Sequence, residues 1–174
     1  MELVDNQQQQ PPRAGAQRFI VGRPEDVPEG ERIIVTVGDR EIGVFRIDGE
    51  FYALLHRCPH LGGPLCKGEI IGLIESDGPG DLRLNSDQKI LTCPWHNWEF
   101  DIKTGQSYWN PLRTRARRFP VEVKEGSELE NSPIPTQRVP GPYKAETMPI
   151  DIEGEYLVVT VRLNPPVAQH DARP

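Results

Sequence analysis

Apolar and polar positions in this chain run in short alternating stretches that turn residues keep interrupting. Phe19-Ile20-Val21 is a brief strand candidate, and residues 26–30 (DVPEG) read as a turn. Residues 32–37 are rich in β-branched side chains, Gly38-Asp39 makes a tight turn, and residues 41–47 alternate apolar with polar. Asp48-Gly49 is a hairpin signal, after which residues 51–55 return as another strand. The pattern predicts an antiparallel meander of three strands. After Cys58 the rhythm breaks. Residues 58–64 form a Gly/Pro-rich loop, 69–74 a strand, and 76–87 (SDGPGDLRLNSD) an exposed loop without periodicity. Residues 89–92 lead into a second special loop at Cys93, and 98–102 form a strand that ends in a turn at 103–105. Residues 119–124 alternate as a half-buried strand should, 125–143 are polar and Pro-rich, and 148–152 with 155–161 make a last hairpin around Glu153-Gly154. No segment sustains helical periodicity, so the expected class is all-β. Residues 1–17, rich in Gln and Pro, and 164–174 read as disordered or frayed tails, leaving one domain over 18–163.

Composition fits that picture. With 16 glycines and 18 prolines in 174 residues, turns should be frequent and long helices absent. A hydrophobic content of 36% allows one modest core. A net charge of −6 argues against general nucleic-acid binding. No apolar run reaches the 18 or so residues that a membrane helix needs, and residues 1–16 lack the apolar segment of a signal peptide. The expected location is the cytoplasm. An odd count of three cysteines, Cys58, Cys66 and Cys93, argues against a disulfide framework there.

The four histidines change the reading more. Of the seven Cys and His residues, only His170 lies outside positions 56–96. Cys58 and His60 are followed, after 32 intervening residues, by Cys93 and His96, so each loop supplies one thiolate and one imidazole. A single zinc ion could take this Cys2His2 set tetrahedrally, but finger spacings usually pair Cys with Cys and His with His. A [2Fe–2S] cluster with two thiolates on one iron and two imidazoles on the other suits mixed loops that grip it from both sides. Prolines stiffen both loops, while Gly62 and Gly63 allow close backbone approach and positive φ.

At these residues the chain resembles the Rieske iron–sulfur family. The paired motifs CPHLGGPL and CPWHNWEFD carry the resemblance, helped by the lead-in GVFRIDGEFYALLHRCPH and the following WEFDIKTGQS, over roughly residues 18–124 and the last hairpin. It implies an antiparallel β-sandwich or barrel with a cluster-binding subdomain inserted at one end. It implies that Cys58 and Cys93 ligate an inner iron, and that His60 and His96 ligate an outer iron through Nδ1. It also sets Asn110-Pro111 at the family's proline loop. Respiratory-type members carry an additional disulfide where this chain has Gly63 and Trp95. They place hydroxyl donors where it has Trp98 and Phe100. Fewer donors to the cluster imply a low potential, roughly −150 mV.

The remaining Cys and His residues read as bystanders: Cys66 as a small buried thiol, His56 as a packing or surface residue, His170 as part of a tail. Trp95, Trp98 and Trp109 read as core or shielding residues, or as docking residues where exposed. The basic run Arg113, Arg115, Arg117 and Arg118 reads as a solvated strand edge or as a docking patch. Two stretches, about 74–88 and 126–145, exceed the usual length of family ferredoxins. The resemblance points to a soluble electron carrier between an NAD(P)H-dependent reductase and a terminal oxygenase, with no catalytic residues and no small-molecule substrate of its own. The alternatives are a small Rieske subunit of a larger oxidoreductase, such as a nitrite-reductase-like assembly, and a cluster-based redox sensor. An oxygenase would need a second iron site of two histidines and a carboxylate, and only His56 and His170 remain for it.

Overall fold

In a computed structural model, residues 16–129 and 154–162 are described. The strands are β1 (Ala16–Gly22), β2 (Arg32–Val37), β3 (Arg40–Ile47), β4 (Glu50–Leu55), β5 (Ile70–Gly78), β6 (Asp81–Thr92), β7 (Glu99–Asp101), β8 (Arg118–Phe119), β9 (Val121–Glu125) and β10 (Glu155–Arg162). They form three antiparallel sheets, ordered β1-β10-β9, β2-β3-β4-β8 and β5-β6-β7. The predicted meander is present as β2-β3-β4, and the all-β expectation holds apart from two 3-10 turns and the one-turn helix α1 (Gly126–Leu129). No helix of the described residues is long and apolar enough to cross a membrane.

The β2-β3-β4-β8 sheet is a wall shared by two cores. Ile42, Val44 and Ala53 face one core, with Val27, Val37, Phe119, Leu157, Val159 and Val161. Phe45, Ile47, Tyr52 and Leu54 face the other, with Leu65, Leu91, Phe100, Ile102 and all three cysteines. β3 therefore buries both faces. That follows from its place inside a sheet covered on both sides.

Two further differences have simple causes. Residues 119–124 do not form one strand. Pro120, which cannot donate to a ladder, ends β8 on β4, and the chain switches sheets to continue as β9 on β10. Residues 76–87 are not a loop but the outer half of a β-hairpin, paired from Ile70↔Leu91 out to Gly78↔Asp81. Backbone bonds hold this ribbon. Water reaches both its faces near the tip, where Ile74, Leu82 and Leu84 are exposed, so it shows no apolar period. β10 is flanked by β1 and β9. Ala16 and Gln17, expected in the N-terminal tail, instead begin β1, paired with Arg162 and Val161. The predicted strand at 148–152, the excursion beyond Leu129, residues 1–15 and the tail 164–174 lie outside the described residues.

Cys66 is the buried thiol that the sequence suggested. It is fully buried, and its Sγ lies 3.8 Å from the Leu54 carbonyl oxygen, to which it donates. Burial pushes the thiol up to about 12. Its place depends on Gly43 in β3, where an added Cβ would stand 2.6 Å from the Cys66 Sγ and 2.8 Å from its Cβ. Gly43→Ala is therefore expected to destabilise the protein by about 1–3 kcal/mol through overpacking. Gly43→Ala should cost less in a Cys66→Ala background than in the wild-type protein, because the clashing Sγ is gone. Urea denaturation of the four proteins checks this, and strictly additive losses would contradict it.

Candidate metal centre

Two loops with the same backbone frame stand side by side at one end of the β5-β6-β7 subdomain. In the first, the Cys58 N–H donates to the Gly63 carbonyl and the Gly62 N–H donates to the Cys58 carbonyl, both at 2.8 Å. In the second, the Cys93 N–H donates to the Trp98 carbonyl and the Asn97 N–H donates to the Cys93 carbonyl, also both at 2.8 Å. The fifth residue of each loop has positive φ, 80° at Gly62 and 52° at Asn97. Glycine and asparagine are the residues that take this conformation most readily. The sequences thus differ but the turn is shared. Within it His60 is the third residue and His96 the fourth, so the two imidazoles leave their loops at different points.

Backbone contacts lock the loops together. The Leu65 N–H donates to the His56 carbonyl at 2.7 Å, which ties the end of the first loop to β4. The Thr92 N–H, one residue before Cys93, donates to the Glu69 carbonyl at 2.9 Å. Gly68 sits so close to this junction that an added Cβ would lie 1.5 Å from the Thr92 carbonyl oxygen. A Cβ on Gly63 would lie 2.9 Å from the Trp95 ring and 3.2 Å from the Cys93 Sγ. No larger residue fits at Gly68 without moving backbone, and one at Gly63 would have to displace the Trp95 ring.

This packing sorts the donors by depth. Cys58 and Cys93 are each only 2% exposed, His60 is half-buried and His96 is exposed. Burial, reinforced by the adjacent Cys93 thiol, pushes Cys58 up to about 11, while the backbone N–H groups of His60 and Leu61 pull it back down. Those N–H groups are placed to stabilise a thiolate once a cation replaces the proton. The two imidazoles meet edge to face, with ring centroids 5.0 Å apart. His60 Nδ1 is buried without a hydrogen-bond partner, as a nitrogen reserved for a metal would be. Among the described residues, no three His, Cys, Asp or Glu side chains converge on one ion position. The donors stand as a thiol pair inside and an imidazole pair outside. That arrangement suits a [2Fe–2S] cluster with mixed ligands better than one tetrahedral ion.

The other candidates fall elsewhere. Cys66 lies under the wall described above, and His170 lies outside the described residues. His56 is buried, with its backbone N–H bonded to the Glu41 carbonyl at 2.9 Å. Trp95 and Trp109 are exposed, whereas Trp98 packs against the subdomain core. Asn110-Pro111 lies in a turn held by the Gln106 side-chain amide, which donates to the Pro111 carbonyl at 3.0 Å. In the basic run, Arg115 donates to Gln106 Oε1 and the Arg117 guanidinium lies 5.3 Å from the Phe119 ring centroid. Both therefore have partners along the edge that leads into β8. Sequence reasoning missed Gly68, whose only signal is a glycine directly after the 3-10 turn Leu65–Lys67. It also missed the contact of Trp98 with His60, for which the sequence carries no signal.

A model of the Rieske [2Fe-2S] domain matches residues 17–120. The chain is 30% identical over 112 residues to a Rieske domain-containing protein of Homo sapiens, a match covering 64% of each protein. It is 31% identical over 104 residues to the 3-phenylpropionate/cinnamic acid dioxygenase ferredoxin subunit of Shigella boydii, covering 60% of this chain and 82% of that one. It is 27% identical over 100 residues to the ferredoxin component of the naphthalene 1,2-dioxygenase/salicylate 5-hydroxylase systems of Ralstonia sp, covering 58% and 81%.

His56 gives a pH test of this region. Burial, with Lys67 adding to it and Glu41 opposing, lowers its pKa below the usual histidine value. The unfolded chain then binds this proton more tightly than the folded one. Stability should rise with pH through the window just below the unfolded value of about 6.5, and fall as pH drops through it. Denaturation midpoints at pH 7.5 and 5.5 should show a drop that shrinks in His56→Leu. An equal drop in both proteins would exclude His56 as its source.

Proposed function

The chain belongs to the Rieske [2Fe-2S] domain family, and we propose that it is a one-electron carrier holding a single cluster on Cys58, His60, Cys93 and His96. The observation that carries this reading is the sorting of donors by depth, with two buried sulfurs side by side and two imidazoles at the surface. In this reading Cys58 and Cys93 hold one iron as thiolates, and His60 and His96 hold the other through Nδ1. The bound cluster supplies one reversible one-electron step at the imidazole edge. The chain's own residues supply the rest. The loop N–H groups stabilise the sulfur charge, the subdomain core keeps water from the cysteines, and exposed Leu61 and Trp95 offer apolar contact beside the histidines.

The partners are a reductase that draws electrons from NAD(P)H and a terminal oxygenase that consumes them, and the chain transforms no small molecule itself. The ferredoxin components of dioxygenase systems among its relatives support this assignment. Work in the cytoplasm, between soluble partners, is the location that goes with it. Trp98 and Phe100 bring no hydroxyl to the cluster, so the carrier belongs at the low end of its class, roughly −150 mV.

Anaerobically purified protein should contain two irons and two acid-labile sulfides per chain and give a Rieske-type EPR signal on reduction with dithionite. His96→Ala should lose or alter that signal, whereas His56→Ala should keep it. Zinc without labile sulfide would sink the assignment, and a midpoint above about +100 mV would sink the low-potential part of it.

A further inference from the structure

His60 Nδ1 is buried and makes no hydrogen bond to another residue, so among the described residues it is packing that sets how the ring lies. What lies against the ring is Trp98. The two rings are stacked, with centroids 4.3 Å apart and planes inclined by 13°. Trp98 is in turn held on two sides. Its carbonyl accepts the Cys93 N–H at 2.8 Å, and its indole rests on Phe100, with centroids 6.4 Å apart and planes at 29°. Phe100 is fully buried in the subdomain core. His96 has no such backing. It is exposed and meets His60 and Trp95 only edge to face, at 79° and 84°.

From this we infer that Trp98 is a positioning residue for His60, clamping its imidazole by stacking and keeping water from one side of the cluster. The inference rests on the ligand set proposed above. It makes the two histidine ligands inequivalent, one backed by the core and one exposed at the surface. It also predicts an electrostatic effect. Two ferric ions, two sulfides and two thiolates sum to zero, so the added electron makes the site anionic. An apolar ring over the site disfavours that charge, and removing the ring should favour it.

The test uses the cluster-loaded protein and its Trp98→Phe, Trp98→Leu and Trp98→Ala variants, with Trp109→Ala as an exposed-tryptophan control. Iron and labile sulfide are measured first, then the EPR spectrum of the reduced state and the midpoint potential. Trp98→Phe, which keeps a flat ring, should retain g-values and line widths close to wild type. Trp98→Leu and Trp98→Ala should broaden and shift the spectrum, Trp98→Ala, which also removes the apolar bulk, should raise the potential, and Trp109→Ala should do neither. If Trp98→Ala does not hold the cluster, Trp98→Leu decides, because it keeps apolar bulk without a stacking face. A fully loaded Trp98→Leu protein with a wild-type spectrum would overturn the inference while leaving the ligand assignment intact. Absence of any Rieske signal in the wild-type protein would instead overturn the assignment itself.

Discussion

Two sulfurs have to be held together out of water while two imidazoles stay at its edge, and backbone contact between two loops is what achieves this here. Each cysteine is fixed at both its N–H and its carbonyl by a bond to the far side of its own loop. The loops then approach until a Cβ at Gly68 would overlap the Thr92 carbonyl and one at Gly63 would press on the Trp95 ring. The Gly68 contact tolerates little adjustment, because backbone atoms cannot swing aside as a side chain can. The depth of the thiols, the exposure of His96 and the stacking of Trp98 on His60 all follow from that fixed frame.

The rest of the fold supplies a support for the frame. A sheet with one face on each of two cores gives the cluster-binding subdomain a rigid floor. The same strands carry Ile42 and Val44 to one side and Phe45 and Ile47 to the other. His56 joins the two levels. Its N–H bonds β3 at Glu41, and its carbonyl takes the Leu65 N–H at the end of the first ligand loop. A short backbone path thus joins the floor to the loop. Cys66, buried and packed on Gly43, belongs to the same support.

Much of this was legible in the sequence, and the parts that were not have physical reasons. The candidate ligands Cys58, His60, Cys93 and His96 stand out because few chemistries place Cys and His twice at such spacing among Pro and Gly. The meander β2-β3-β4 was legible because its turns carry Gly38 and Asp48-Gly49. The outer part of the β5-β6 hairpin was not, because a ribbon wetted on both faces has no reason to alternate apolar with polar residues. The break at Pro120 was present in the sequence but hidden within an alternating run on both sides of it. The clamp on His60 could not be read at all. A tryptophan two residues after a ligand histidine gives no hint that it stacks on the histidine of the other loop.

The central claim is that one cluster has two chemically different irons, one facing the buried cysteines and one facing the surface histidines. Mössbauer spectroscopy of protein grown on 57Fe tests this most directly. The account predicts two quadrupole doublets of equal area in the oxidised protein, with the electron added on reduction residing on one iron only, the histidine-bound one with the larger isomer shift. A single doublet in the oxidised protein, as from two irons in identical surroundings, would contradict it.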